Sequence, residues 1–406
     1  MKRSPLVVIL LTVFIDLVGF GIVIPVLPYY LESERFRATP LALGLLFSSY
    51  SVMQLIFSPI LGRWSDKHGR RPVLLVSIIG SGVGFLILGA AGTLTMLFVG
   101  RIIAGITGGN ISTAQAYIAD VTTPEDRAKG MGMFGAAFGL GFIFGPALAG
   151  ILSQWSISLP FYFAGALSFA NAVLLYFTLP ETVTPDHPAR ATRRGWGYFL
   201  QSLRQTRLAL VVGVYFLFVV AFSIMTTVFA LFTMYRFGYD AADNGYLFAY
   251  IGLLAVIVQG GLIGRLVKRF GELPLVIAGA LLLAVNLLIL PHVGPAAGGL
   301  AGLLAVMTCF SFGNSFAMPS LTSLASRSVG AAEQGGVLGV SQSAASLARA
   351  VGPALGGWLI YSAAAPRHID DRSVAHTFYV SAAIMFAALA LSLYLRRYEN
   401  AVTGDE

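Results

Sequence analysis

Asp16 lies about eleven residues into an apolar run that extends from Pro5 to Tyr30. At 1.5 Å per helical residue, a membrane helix over this run carries its carboxyl near mid-bilayer. A carboxyl taken out of water favours its neutral, protonated form, and a nearby cation favours the charged one. The chemistry on offer is uptake and release of a proton; the plainer alternative is a permanently hydrogen-bonded acid that packs the helix. Arg101 is a second ionisable group in an apolar run. It keeps its proton and is costly against lipid. Helical spacing puts Arg101, Gly105, Gly108, Ser112 and Gln115 on one polar, small-residue face. Such a face suits a water-filled cavity or a close-packed helix. There Arg101 either tunes proton affinity at Asp16, meets an acidic substrate group, or bonds backbone carbonyls. Arg349 shares a face with Gln342 and Ser346 and has the same range of roles.

A helical stripe of Tyr215, Phe218, Phe222, Met225, Phe229 and Phe232 offers an aromatic wall for a ligand, or ordinary packing. Gln54, Asn110, Asn286 and Asn314 are polar groups in apolar runs, suited to orienting a ligand or to bonding between helices. Residues 62–71 read Gly-Arg-Trp-Ser-Asp-Lys-His-Gly-Arg-Arg between two long apolar runs. Lipid cannot hold this charge, so the decapeptide is a tight aqueous connection between two spans. Gly62, Asp66, Gly69, Arg70 and Arg71 there make a candidate charge latch, with Asp120 and Arg127 as ion-pairing groups at the same edge.

These groups need a membrane scaffold, and composition supplies it. Of 406 residues, 57% are hydrophobic and 11% charged. Soluble domains carry about 25% charge. The net charge of +8 does not indicate nucleic acid, because the basic residues sit in connections between apolar runs. The single cysteine, Cys309, rules out an internal disulfide or a cysteine metal cluster, and the five histidines lack ligand spacing. No cleavable signal is evident, and no Ser-His-Asp set or Walker loop argues for an enzyme or for ATP. No cofactor is expected.

Apolar runs predict twelve spans, near 5–30, 41–62, 73–93, 95–118, 130–153, 158–180, 208–235, 244–264, 273–293, 298–324, 334–362 and 374–396. With both termini cytoplasmic, Arg35, Arg37, Arg236, Arg367 and Arg372 fall outside and Arg101 and Arg349 within spans. The rest of the 26 Lys and Arg lie inside. The expected fold is all-α and membrane-integral, in two pseudo-symmetric six-helix halves, 1–183 and 207–406, joined by a cytoplasmic linker at 184–206. Gly-Pro-Ala-Leu-x-Gly blocks begin at Gly145 and Gly352, and Gly62-Arg63…Gly69 echoes as Gly264-Arg265…Gly271. Duplicated halves with a site between them are the architecture of a secondary transporter. Gly141, Gly145, Pro146 and Gly150 form a small-residue stripe for close helix approach with a kink.

Four blocks carry a resemblance over essentially the whole chain. Gly19-Phe20-Gly21 through Pro25 and Pro28, the decapeptide, the Leu97–Gly109 block with Arg101, and Gly141–Gly150 resemble, in order, motifs of the drug:proton antiporters of the major facilitator superfamily. Asp16 and Tyr117-Ile-Ala-Asp120 are most similar to the tetracycline-exporter branch. Where those exporters place a histidine in helix eight and an aspartate in helix nine, this chain offers Gln259 and Asn286. The resemblance implies proton-coupled efflux of small amphipathic organic compounds by a lipid-embedded monomer in the bacterial inner membrane. It also implies that Asp66 stabilises one access state, and that the Gly141–Gly150 stripe belongs to antiport. Uptake of a sugar or organic acid by a symporter or uniporter, and lipid flipping, are the alternatives.

Overall fold

The computed structural model describes residues 4–123, 126–183, 205–329, 334–360 and 370–404. Its long helices follow the apolar runs, because helix satisfies every backbone polar group without help from lipid. They are α1 (Pro5–Glu32), α2 (Pro40–His68), α3 (Arg70–Ala90), α4 (Leu94–Val121), α5 (Arg127–Ser153) and α6 (Leu159–Thr178). The remainder are α7 (Thr206–Phe237), α8 (Ala241–Phe270), α9 (Glu272–Ile289), α10 (Gly299–Arg327), α11 (Gln334–Ile360) and α12 (Asp371–Gly404). Among the described residues, 11 are long and apolar enough to cross a membrane. The other, α11, has the length, but its serines, Gln342 and Arg349 dilute its apolar character.

Two helices carry local departures that matter for the site. In α4 a tight turn at Gly108–Asn110 interrupts the helix just where Asn110 faces α1. In α8 a wide π turn spans Val258–Leu262.

The predicted break over 63–72 is corrected. Helix α2 runs through the charged residues to His68, α3 begins at Arg70, and Gly69 alone makes the turn. Polar side chains are tolerated in a helix once it emerges from hydrocarbon, so charge marked the membrane edge and not the helix end. The linker expected at 184–206 lies, for residues 184–204, outside the described residues.

Of the described residues, 4–38, 46–183 and 239–252 cluster into one compact unit, and 39–45, 205–238 and 253–404 into a second. The start of α8 joins the first unit because Gly245 lies against Gly150 of α5; the start of α2 joins the second because Gly44 lies against Gly357 of α11. The first unit has its core between α1, α3, α4, α5 and α6, with Ile9, Val13, Leu74, Ile78, Tyr117, Phe134 and Leu175 buried together. In the second, α7 packs against α11 and α12, and α9 against α10 and α12.

Candidate functional site

Asp16 is half-buried on α1 and accepts a hydrogen bond from Asn110 Nδ2 at 3.3 Å. The turn at Gly108–Asn110 aims this amide at the carboxylate. Asp16 also borders a small cavity of about 10 Å³ with Thr12, Val13, Leu17, Leu74, Asn110, Ile111 and Ala114. Among the described residues no Lys, Arg or His lies within ion-pair distance of it. The carboxyl therefore meets one neutral donor and a largely apolar wall.

Arg101 is buried at 1% exposure and is not brought to Asp16. Its Nε donates to the Leu46 carbonyl at 3.3 Å, and its guanidinium lies 4.4 Å from the Tyr50 ring centroid and 5.6 Å from that of Phe47. A backbone carbonyl and two aromatic faces hold this cation in place of a carboxylate. Tyr50 also sits 5.3 Å from Phe20, which sits 5.7 Å from Phe142, so α1, α2 and α5 share a run of rings. Gln54 is buried and donates to the Gly108 carbonyl at 2.9 Å, tying α2 to the turn that carries Asn110. Gln115 is half-buried on the same helix as Asn110.

At the end of α2 the latch residues converge. Gly69 takes φ +104°, a conformation in which side chains are strained. The buried Arg70 guanidinium pairs with Asp66, with Asp120 at 3.2 Å and with Ser65 Oγ at 2.6 Å. Sequence reading missed Glu181. Its carboxylate accepts from the backbone N–H of Arg70 at 2.8 Å and of Arg71 at 3.0 Å, capping α3 where the helix dipole favours an anion. A side chain on Gly69 would collide with that carboxylate. The signal was an acid just beyond the last apolar residue of α6, in a Pro180-Glu181-Thr182 exit. Arg71 bonds the Tyr176 carbonyl and lies 5.1 Å over its ring. Gly62 sits inside α2 at ordinary contact with Ser112. Arg127 opens α5, and its side chain lies outside the described residues.

The corresponding turn of the second unit has the same backbone and inverted charge. Gly271 takes φ +81°, but Lys268 and Glu272 stand where Asp66 and Arg70 stand in the first. Glu272 accepts from Arg327 at 2.6 Å and from Ser323 at 3.1 Å. A cation from the end of α10 thus meets an acid on the turn; in the first unit an acid from the end of α4 meets a cation. A cleft of about 410 Å³ opens beside Gly271, Glu272, Arg327, Arg207 and Glu399.

Gly141 and Gly145 form a seam with α1. A methyl group on Gly145 would lie 2.7 Å from Gly21 Cα, and one on Gly141 2.5 Å from Leu17 Cβ. Pro146 continues this contact and Gly150 meets Gly245. Packing alone requires these small residues.

The ligand candidates of the second unit divide by exposure. Met225 and Phe229 are fully buried in its packing. Phe222 keeps open surface and stacks on Phe310 at 5.6 Å. Asn286 is buried and donates to the Val306 carbonyl between α9 and α10. Asn314 and Gln342 are half-buried; Arg349 is half-buried, donates to Ser346 Oγ at 3.2 Å and interacts electrostatically with Tyr215.

A family profile described as Major Facilitator Superfamily matches residues 9–353. The chain belongs to the Major Facilitator Superfamily. It is 35% identical to a tetracycline resistance protein, class D, of Salmonella ordonez, over 87% of this chain and 89% of that one. It is 28% identical to multidrug resistance protein 2 of Bacillus subtilis strain 168, over 98% and 97%. Among solved structures it resembles the human organic anion transporter MFSD10 (TETRAN) with a TM-score of 0.72 and 25% identity, over 96% and 99% of the two chains. It resembles the nucleoside transporter NupG in fold, with a TM-score of 0.79 at 14% identity over 95% and 99%. This member of the superfamily is a multi-pass membrane transporter and not an enzyme.

Proposed function

We propose that this chain is a proton-coupled antiporter that exports small amphipathic organic compounds by alternating access. The observation that carries the reading is the Asp16 carboxyl, within a membrane helix, held by one neutral amide and free of any cation partner among the described residues. An acid paired to an arginine would stay charged through the cycle; this one is able to gain and lose a proton as its access to water changes. Export of drug-like compounds is supported by likeness to tetracycline and multidrug resistance proteins. The rings of Phe20, Tyr50 and Phe142, and of Phe222 and Phe310, give amphipathic ligands apolar faces. Gln115, Asn314, Gln342 and Arg349 are half-buried polar groups suited to orienting them.

In this proposal the transporter works as a monomer in a bacterial inner membrane with both termini cytoplasmic. Its six-helix halves are 1–183 and 207–406, and Arg70 with Asp66 and Asp120 forms the latch of one access state. Arg101 acts on the ligand side through the aromatic run, because its guanidinium contacts Tyr50 and not Asp16.

The test uses everted membrane vesicles with an imposed pH gradient and tetracycline or ethidium as probe. Wild-type protein is expected to accumulate at least one probe in response to the gradient. Asp16→Asn is expected to abolish this while leaving probe binding measurable. Gradient-driven transport that persists in Asp16→Asn overturns the reading.

A further inference from the structure

The wall of the Asp16 cavity contains a polar residue that the coupling scheme above does not use, Thr12. Thr12 is one turn before Asp16 on the same face of α1 and lines the same cavity. It is 2% exposed, and its Oγ1 has no hydrogen-bond partner within the protein. Asn171 of α6, 1% exposed, donates from Nδ2 to the Thr12 carbonyl at 3.0 Å, and its Oδ1 is likewise unpartnered. Leaving a buried hydroxyl or amide oxygen unsatisfied costs about 1–3 kcal/mol. An unpartnered hydroxyl on Thr12, a residue that lines the same cavity as the Asp16 carboxylate, is thus an energetic oddity unless something bonds to it. The cavity, about 10 Å³, holds about one water centre, and it offers a water the two to four polar partners it needs.

We propose that this cavity is a single-water site, and that Thr12, Asn110 and Asn171 are positioning residues that hold this water as the proton relay to Asp16. The inference rests on the antiport reading and goes beyond it by assigning the proton its own route inside the first unit. Thr12 Oγ1 and the Asp16 carboxylate anchor the water; Asn110 fixes the carboxylate, and Asn171 fixes the turn of α1 that carries Thr12. A proton arriving on the water makes hydronium. One O–H bond of the hydronium breaks as one forms at Asp16, and neutral water remains; release reverses the step. The remaining walls, Val13, Leu17, Leu74, Ile111 and Ala114, are apolar, and the cavity of about 10 Å³ leaves the relay one molecule wide.

The test reconstitutes the full chain in proteoliposomes with tetracycline and ethidium as probes. Thr12→Val keeps the shape and removes the hydroxyl. Gradient-driven accumulation is expected to fall about fivefold, the equivalent of one hydrogen bond, with probe binding by equilibrium dialysis unchanged and with Thr12→Ser restoring transport. Wild-type coupling in Thr12→Val overturns the relay, and so does a loss of binding that Thr12→Ser fails to restore, which would mark Thr12 as packing. Infrared difference spectra of the wild-type protein across a pH jump give a readout that needs no Thr12 variant. A band that moves when H₂¹⁸O replaces water and is missing in Asp16→Asn supports the site, and its absence from wild type overturns it. If Asp16→Asn itself retains gradient-driven transport, the antiport reading fails; if only Thr12→Val retains it, the relay alone fails.

Discussion

Two turns of similar shape, at Gly69 and at Gly271, are put to opposite electrostatic use. Both glycines take a positive φ, and both join a charged helix end to the start of an apolar helix. At Gly69 the centre is a cation, Arg70, 4% exposed, between Asp66 and Asp120, and Glu181 covers the turn. At Gly271 the centre is an acid, Glu272, whose partner Arg327 is 67% exposed, and the turn opens onto a cleft. The difference teaches that a repeated backbone does not transmit a repeated interaction. The glycine is required by the turn geometry in both places, whereas the charges answer to whatever the neighbouring helices present. The first cluster is buried enough for its pairs to matter. The second is screened by water and salt.

The largest expected effect is at Arg70. Arg70→Ala removes a buried guanidinium that bonds two carboxylates, each 30% exposed, and is expected to cost about 1–3 kcal/mol of stability. Thermal unfolding in detergent micelles measures it; a loss under about 1 kcal/mol would reduce the buried cluster to the rank of a surface pair.

Next come the glycines themselves. Gly69→Ala and Gly271→Ala each carry backbone strain of about 1–3 kcal/mol. Only at Gly69 does the new methyl also displace the carboxylate that caps α3. Gly69→Ala is therefore expected to lower the melting temperature more than Gly271→Ala, and Glu181→Gln is expected to narrow the gap. Equal losses would mean that Glu181 contributes nothing as a cap.

The smallest effect belongs to Glu272. Glu272→Gln breaks an ion pair with an exposed arginine and is expected to cost under about 1 kcal/mol, vanishing in high salt. A salt-insensitive loss as large as that at Arg70 would erase the contrast between the turns.

The sequence carried the helices well, because apolar runs of about 20 residues have few other uses. It carried the turns poorly. The run of charge at 62–71 reads as a loop, yet nine of its ten residues are helical, residues 62–68 ending α2 and Arg70 and Arg71 opening α3 around the single Gly69. Charge reports where hydrocarbon stops, and helices continue past that level. Asp16 was legible because a mid-helix acid is costly and rare. Its partner was not: the sequence leaves Arg101 free to tune Asp16, to meet a substrate acid or to bond backbone carbonyls, and the structure shows the last, with Asn110 at Asp16. The break in α4 at Gly108–Asn110 decides which face Asn110 presents, and regular helical spacing contains no sign of it. Glu181 left only its place at the exit of α6 as a signal for a related reason, since its role depends on the approach of α6 to the start of α3.

The π turn in α8 has a bearing on how this chain is compared with its relatives. One extra residue in a helical circuit swivels everything downstream by about 100° about the axis. Gln259 lies within that widened coil, so counting forward from the start of α8 assigns the wrong compass bearing to the residues after it, Arg265, Lys268 and Arg269 among them. A gain or loss of a single amino acid there would re-aim that whole basic tip while leaving the span intact, an inexpensive way for related transporters to alter what that end of the helix attracts.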